Sequence, residues 1–147
     1  MAPPETEPGA GHSFGLEFDG IQIKSITEVS GLKMEQDVVQ LEQNGPDGND
    51  LPKKLRGRWK AGELALRRPL TRDTSLDNWI KDSQLGKLGE AEKDVALVIY
   101  DHEGAPLKRY KITAAWPKSL EVKALKAGDT SVLTEKLVVT YERLEPE

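Results

Sequence analysis

Residues 108–145, KRYKITAAWPKSLEVKALKAGDTSVLTEKLVVTYERLE, decide the fold. They read as three consecutive strands joined by two differently built connections, and no helical period fits them. Ala115-Trp116-Pro117 interrupts the first strand with a residue that fixes its own φ and offers no N–H to a ladder. The chain must bend or cross between sheets there. Gly128-Asp129 then closes a hairpin.

Working outward, residues 95–100 (VALVIY) are apolar at both parities. Such a strand is expected to be covered on both faces, by a helix on one side and a second sheet on the other. Val95, Leu97 and Ile99 are its core residues. Asp101, His102, Glu103 and Gly104 turn the chain into the decisive stretch. The one good helix lies upstream, with Thr74 as its cap, Asp77 in the capping-box position and Gly86 as its stop. Leu76, Trp79 and Ile80 form its apolar stripe.

Nearer the start, Phe14, Leu16 and Phe18 alternate with polar or small residues. Asp19-Gly20 is a hairpin signal, and Ile21, Ile23 and Ile26 resume a strand. Residues 32–43 form a further polar–apolar run, ending at the turn-forming residues 44–50 (NGPDGND), an expected exposed loop. Beyond it, Lys54, Arg56, Arg58 and Lys60 share one parity, and strand spacing puts the four basic groups on one face. Residues 1–12, rich in Pro, Glu, Gly and Ala, are expected to form a flexible N-terminal arm. Residues 13–147 are then one domain. It is expected to be mainly β, two packed antiparallel sheets in a sandwich or partly open barrel, with one flanking α-helix.

With 147 residues the chain has the length of one domain, able to bury roughly 70% of its unfolded surface. Only 37% of residues are hydrophobic against 31% charged, so one face of each sheet must be polar. The net charge of −4 gives no general attraction for nucleic acid or anionic lipid. Cysteine is absent, which excludes disulfides and thiolate chemistry. No apolar run approaches the roughly 20 residues of a membrane-spanning helix, and no signal peptide is read, so synthesis in the cytoplasm and no direct membrane insertion are expected.

Chemistry is sparse. His12 lies in the arm and His102 in a turn between two carboxylates, neither with the orienting partner a catalytic base needs. Asp47, Asn49 and Asp50 sit in a Gly-rich loop, but Leu51 stands where an oxygen ligand of a calcium loop belongs. No phosphate-binding Gly-rich loop is present, so no cofactor or metal is expected. The basic stripe, Lys53 included, has Trp59 as its only interleaved aromatic, whereas single-strand binders offer several stacking platforms. A solvated face or a contact with another subunit is the simpler reading. Carboxylates such as Glu63, Asp73 and Asp94 show no catalytic spacing. Trp79 and Trp116 are expected in the core, with Pro117 at the corner.

Several strings in their shared order resemble the phage tail-tube protein family. They are Val29-Ser30-Gly31-Leu32, the basic Leu-x-Gly segment leading to Leu64-x-Leu66-x-Arg68, and Leu76-x-x-Trp79-Ile80. They continue with Asp94-Val95, Asp101-x-x-Gly104, Ala115-Trp116-Pro117 and Glu135-Lys136-Leu137-Val138-Val139. The overlap runs over residues 14–144. Two departures stand out: the family often has Asn where this chain has Ala114, and His-Glu-Gly where it has Tyr141-Glu142-Arg143.

The resemblance implies a structural subunit and no enzyme. Hexameric rings would stack into the hollow inner tube of a contractile injection system or phage-like tail. Its partners would be further copies of itself, the sheath protein, baseplate and spike components, and cargo in the lumen. After assembly in the cytoplasm the tube would belong to a virion-like or extracellular particle. Sheet edges that continue into a neighbour need no blunting, and polar residues at alternate positions can face a water-filled lumen. Asn44, Asp47, Asp50, Lys53, Lys54, Arg56, Arg58 and Lys60 are the candidate contacts between subunits or rings. A second reading is a soluble β-sandwich adaptor or ligand-binding module whose basic stripe is its binding face.

Overall fold

The apolar alternation is realised as ten strands and two helices in a computed structural model, which describes residues 13–44, 48, 50–123, 127–128 and 132–147. In chain order they are β1 (Ser13–Phe18), β2 (Ile21–Ile26), β3 (Glu28–Ser30), β4 (Gln36–Asn44), β5 (Asp50–Trp59) and β6 (Gly62–Pro69). Then come α1 (Ser75–Gln84), α2 (Leu88–Ala91), β7 (Lys93–Tyr100), β8 (Pro106–Val122), β9 (Thr134–Tyr141) and β10 (Arg143–Pro146). The expected arm, Asp129 and most of the loop after Asn44 lie outside the described residues.

The decisive stretch forms one strand where a break was expected. β8 runs for 17 residues, pairing first with β7 and β10 and then, from Trp116, with β9. It therefore belongs to two sheets. Sheet one is β2-β1-β7 with the first half of β8, edged by β10; sheet two is the second half of β8 with β9-β6-β3. All their pairings are antiparallel.

The crossing is built from a bulge. Lys93 faces Ala115 and Val95 faces Ile112, so β8 carries one residue more than β7 over that interval. Ala114 takes up the surplus at φ +55°, and its N–H is turned onto Asp94 Oδ1 at 3.1 Å. A second shift follows between Pro117 and Ser119. The extra residue also reverses the alternation. Ala115 and Pro117 point inward, and Trp116, expected in the core, is left 42% exposed opposite Thr140.

The core fills the space between the two sheets. Leu16, Phe18, Val95, Leu97 and Ile112 from sheet one meet Leu64, Leu66, Leu137 and Val139 from sheet two. Leu76 and Trp79 of α1 join the same cluster, with Ile80 half-buried against it. The Trp79 ring lies 5.0 Å from that of Phe18, and its Nε1–H donates to the Ala91 carbonyl at 2.5 Å. α1 thus packs on α2 and β8 rather than across β7. Val98 is fully buried at the opposite parity to Val95 and Leu97, as the two-parity run requires, while Ile99 is only half-buried.

The helix start differs from expectation. Thr74 sits at φ −103°, ψ 9°, away from the extended region a cap uses, and its side chain caps nothing. Asp73 does the work one residue earlier: its Oδ1 accepts from the Ser75 N–H at 3.1 Å and the Ser75 hydroxyl at 2.7 Å. Asp73 Oδ2 in turn accepts from Arg68 Nη1 at 2.9 Å, and Arg68 Nε donates to Glu135 at 2.5 Å. Arg68 and Glu135 are 2% and 4% exposed. They face each other in the β6–β9 register, at the same parity as Leu64, Leu66, Leu137 and Val139. Removing one partner of such a buried pair costs about 3–5 kcal/mol, because the other charge is stranded.

Three outcomes test this account. Ala114→Gly relieves a left-handed alanine that costs roughly 1–2 kcal/mol, so the thermal midpoint should rise by about 3 °C; a fall would mean the site is unstrained. Arg68→Met should lower the urea midpoint by the equivalent of about 3–5 kcal/mol, and Arg68→Leu with Glu135→Leu should recover most of it. The bonds from Ser75 and then Arg68 hold the Asp73 carboxyl below its ordinary value of 3.8. A depressed carboxylate adds stability above its unfolded pKa and loses it as pH falls through the folded one. Stability should therefore drop on acidification below about pH 4, and Asp73→Asn should flatten that part of the curve.

Candidate assembly surfaces

β4 and β5 form a two-stranded sheet of their own, apart from the other eight strands. A free ribbon of this kind is marginally stable in water, so its exposed apolar groups need a use. Val39 pairs with Leu55 and Leu41 with Lys53, which places these four on one face. Val38 pairs with Arg56 and Gln40 with Lys54 on the other. Val38, Val39, Leu41, Leu55 and Trp59 are all exposed, Val38 to 65%.

The register breaks the expected basic stripe. Gln36 faces Trp59 while Val38 faces Arg56, so β5 bulges around Gly57 and Arg58. A Cβ on Gly57 would stand 2.8 Å from the Asp37 carbonyl oxygen, which is why only glycine fits. Lys54 and Arg56 keep a common face; Arg58 sits in the bulge, Lys53 is on the opposite side, and Lys60 lies past the strand. There Lys60 Nζ is 3.4 Å from Asp37 and 3.7 Å from Glu35, exposed ion pairs that fix the root of the hairpin weakly. Asn44 and Asp50, expected in a loop, are paired to each other as the last rung. Asp47 lies outside the described residues.

Sheet two has open edges. Among the described residues β3 pairs only with β6, and the second half of β8 only with β9. Its outer face is mainly polar, with Trp116 exposed on it opposite Thr140. One cross-strand row reads Glu28, Arg67, Lys136 and Glu121, the next Ser30, Ala65, Val138 and Ser119. Glu63 and Lys118 pair across it at 2.6 Å. At the foot of β3, Gly31 at φ +84° lies so near β6 that a Cβ would stand 2.6 Å from the Glu63 carbonyl oxygen.

The outer face of sheet one carries a network. Arg109 donates to Glu17 at 2.6 Å and to Glu147 at 2.5 Å, beside a recess of about 440 Å³ that Lys111 also lines. Arg109 first, then Gln22, hold the Glu17 carboxyl below its ordinary value. His102 is exposed in its turn, whose backbone N–H groups at Glu103 and Ala105 donate to Asp101 Oδ1 at 2.9 and 3.0 Å.

Residues 10–145 match the family model described as T4-like virus tail tube protein gp19. The chain belongs to the tail tube protein family. Solved structures carry the same fold. A chain of an extracellular contractile injection system, the PVC sheath–tube complex in its extended state, superposes with a TM-score of 0.77 at 22% identity, covering 97% of this chain and 94% of that one. A chain of the anti-feeding prophage cap, its tube-terminating cap, gives 0.77 at 20% identity over 100% and 94%. Hcp1 from Flavobacterium johnsoniae gives 0.57 at 18% identity over 92% and 94%. No protein of curated function matches the sequence.

For a tail tube protein the informative parts are surfaces, and sequence reasoning reached them unevenly. It named the basic residues Lys53 to Lys60, which are exposed, but read them as one stripe rather than as part of a hairpin, and it missed the buried Arg68–Glu135 pair. The signal was available: both residues stand at core parity within strands that are otherwise apolar there. The row through Arg67 and Lys136 was missed because it depends on which strands become neighbours.

Proposed function

We propose that the chain is the structural subunit of a hollow inner tube in a contractile injection system or phage-like tail. Six copies close into a ring, and rings stack inside a sheath as a conduit, without catalysis. The observation that carries this reading is sheet two, with two edges open among the described residues and a mainly polar outer face, in a chain that matches the tail tube family over residues 10–145. Joining the edge of β3 to the edge of β8 in the next copy continues the sheet around a ring. Six copies of β3, β6, β9 and the second half of β8 give about 24 strands; at roughly 4.8 Å each, the wall is about 115 Å around and nearly 40 Å across before tilt. Such a ring encloses a water-filled channel wide enough for cargo.

The β4–β5 hairpin is the stacking device in this reading. Its apolar face, Val39, Leu41 and Leu55, has no cover within the described chain, and a contact from one ring to the next is heterologous, so it propagates into a filament. Lys53, Lys54, Arg56, Arg58 and Lys60, with Asn44, Asp47 and Asp50, are the proposed contacts. The similar structures named above include a sheath–tube complex and a tube-terminating cap, which supports sheath and terminal components as partners. Assembly would begin in the cytoplasm and end in a virion-like or extracellular particle.

Replacing residues 37–58 with a short turn should leave a folded protein by circular dichroism that forms no tubes in negative-stain images. Unchanged tubes would overturn the assigned role of the hairpin. A wild-type protein that stays strictly monomeric at high concentration would favour a soluble binding module instead.

A further inference from the structure

The row Glu28, Arg67, Lys136 and Glu121 sets two cations directly opposite each other at its centre. Like charges in that position destabilise a sheet. Lys123, just past the end of β8, adds a third cation, and the three border a recess of about 260 Å³ with Glu121 and Thr134. Only Arg67 has an ion-pair partner among the described residues: Glu28, at 3.6 Å, on the edge strand. Lys123 and Lys136 have none, although both open onto the same recess. An arrangement that concentrates positive charge in a chain of net charge −4 calls for an anion.

We propose that this recess is an anion site that takes side-chain carboxylates of an acidic polypeptide. Arg67 and Lys136 stand one strand spacing apart, about 5 Å, Lys123 lies one strand further on at the end of β8, and Glu28 and Glu121 close the row on either side. A carboxylate from a peptide enters between them, accepting from the Arg67 guanidinium and the two ammonium groups. Glu28 and Glu121, one on each side, repel the closely spaced phosphates of a nucleic-acid strand. The placement of the site along the conduit rests on the tube reading, because it lies on the outer face of sheet two; the chemistry of the site does not. Repeated around a ring, it would hold an acidic cargo at many weak points, each easily released.

Fluorescence anisotropy with a labelled oligoglutamate peptide, on the full chain at low salt, reads the site directly. Binding should weaken by roughly tenfold in Lys136→Glu and again at high salt. Lys123→Gln, outside the strands, should weaken it by a smaller factor and guards against a folding defect in the first variant. No binding, or equal binding of both variants, would overturn the site, as would tighter binding of a single-stranded oligonucleotide that the variants leave unchanged. Negative-stain images of the same samples separate the two ideas. Tubes without peptide binding sink the site alone, and peptide binding without tubes sinks only its placement in a conduit.

Discussion

One strand serves both sheets, and the rest of the molecule is arranged around that fact. β8 holds β7, β1 and β2 on one side of its crossing and β9, β6 and β3 on the other. Two sheets joined through a loop could slide over each other; two sheets sharing a hydrogen-bonded strand cannot, without breaking its ladder. The crossing is local in cause. A single surplus residue, a left-handed Ala114 and the Asp94 carboxylate that receives its N–H redirect the ladder. The open edges of sheet two are therefore fixed relative to the core by a strained point in the middle of the chain.

The buried charges act on a different link. Apolar alternation alone would let β6 and β9 shift by two residues and still bury the same parity. Arg68 opposite Glu135 removes that freedom, since a shifted register would leave both charges buried and unpaired. The same guanidinium reaches Asp73, which holds the first turn of α1. Register and helix entry are thereby tied to one side chain. Its contribution is specificity more than net stability, because desolvation offsets much of the attraction.

What the sequence revealed follows from the range of the forces involved. The Asp19-Gly20 turn, the two-parity β7 run and the Leu76/Trp79 stripe are short-range patterns, and the structure has them where the residues put them. The bulge at Ala114 was hidden because alanine carries no mark of a left-handed backbone. The asparagine often found there in the family suits that conformation and would have shown it. Gly57 between two arginines is a visible sign of a bulge in β5, and a bulge breaks an even basic stripe. Thr74 looked like a cap by residue type, but Asp73 was already oriented by Arg68, a partner distant from the helix itself. Of the candidate contacts, the basic residues of the hairpin were legible as exposed. Their division between two faces needed the register.

Several features that would count against a lone soluble protein are consistent with one another in a tube. An open edge with Leu120 and Val122 on it invites pairing with another chain, and native monomers protect such edges with charge, proline or a short strand. β3 is short and Pro117 and Lys118 guard only the beginning of the β8 edge. A ring that joins edge to edge removes both openings at once, and it does so with backbone hydrogen bonds that any side-chain sequence can supply. That leaves the outer face of sheet two free to be polar, and it explains how a chain with so few apolar residues can still be built into a rigid wall. In the proposed ring the low hydrophobic content and the unprotected edges have a single cause: part of the stabilisation of this fold comes from its neighbours.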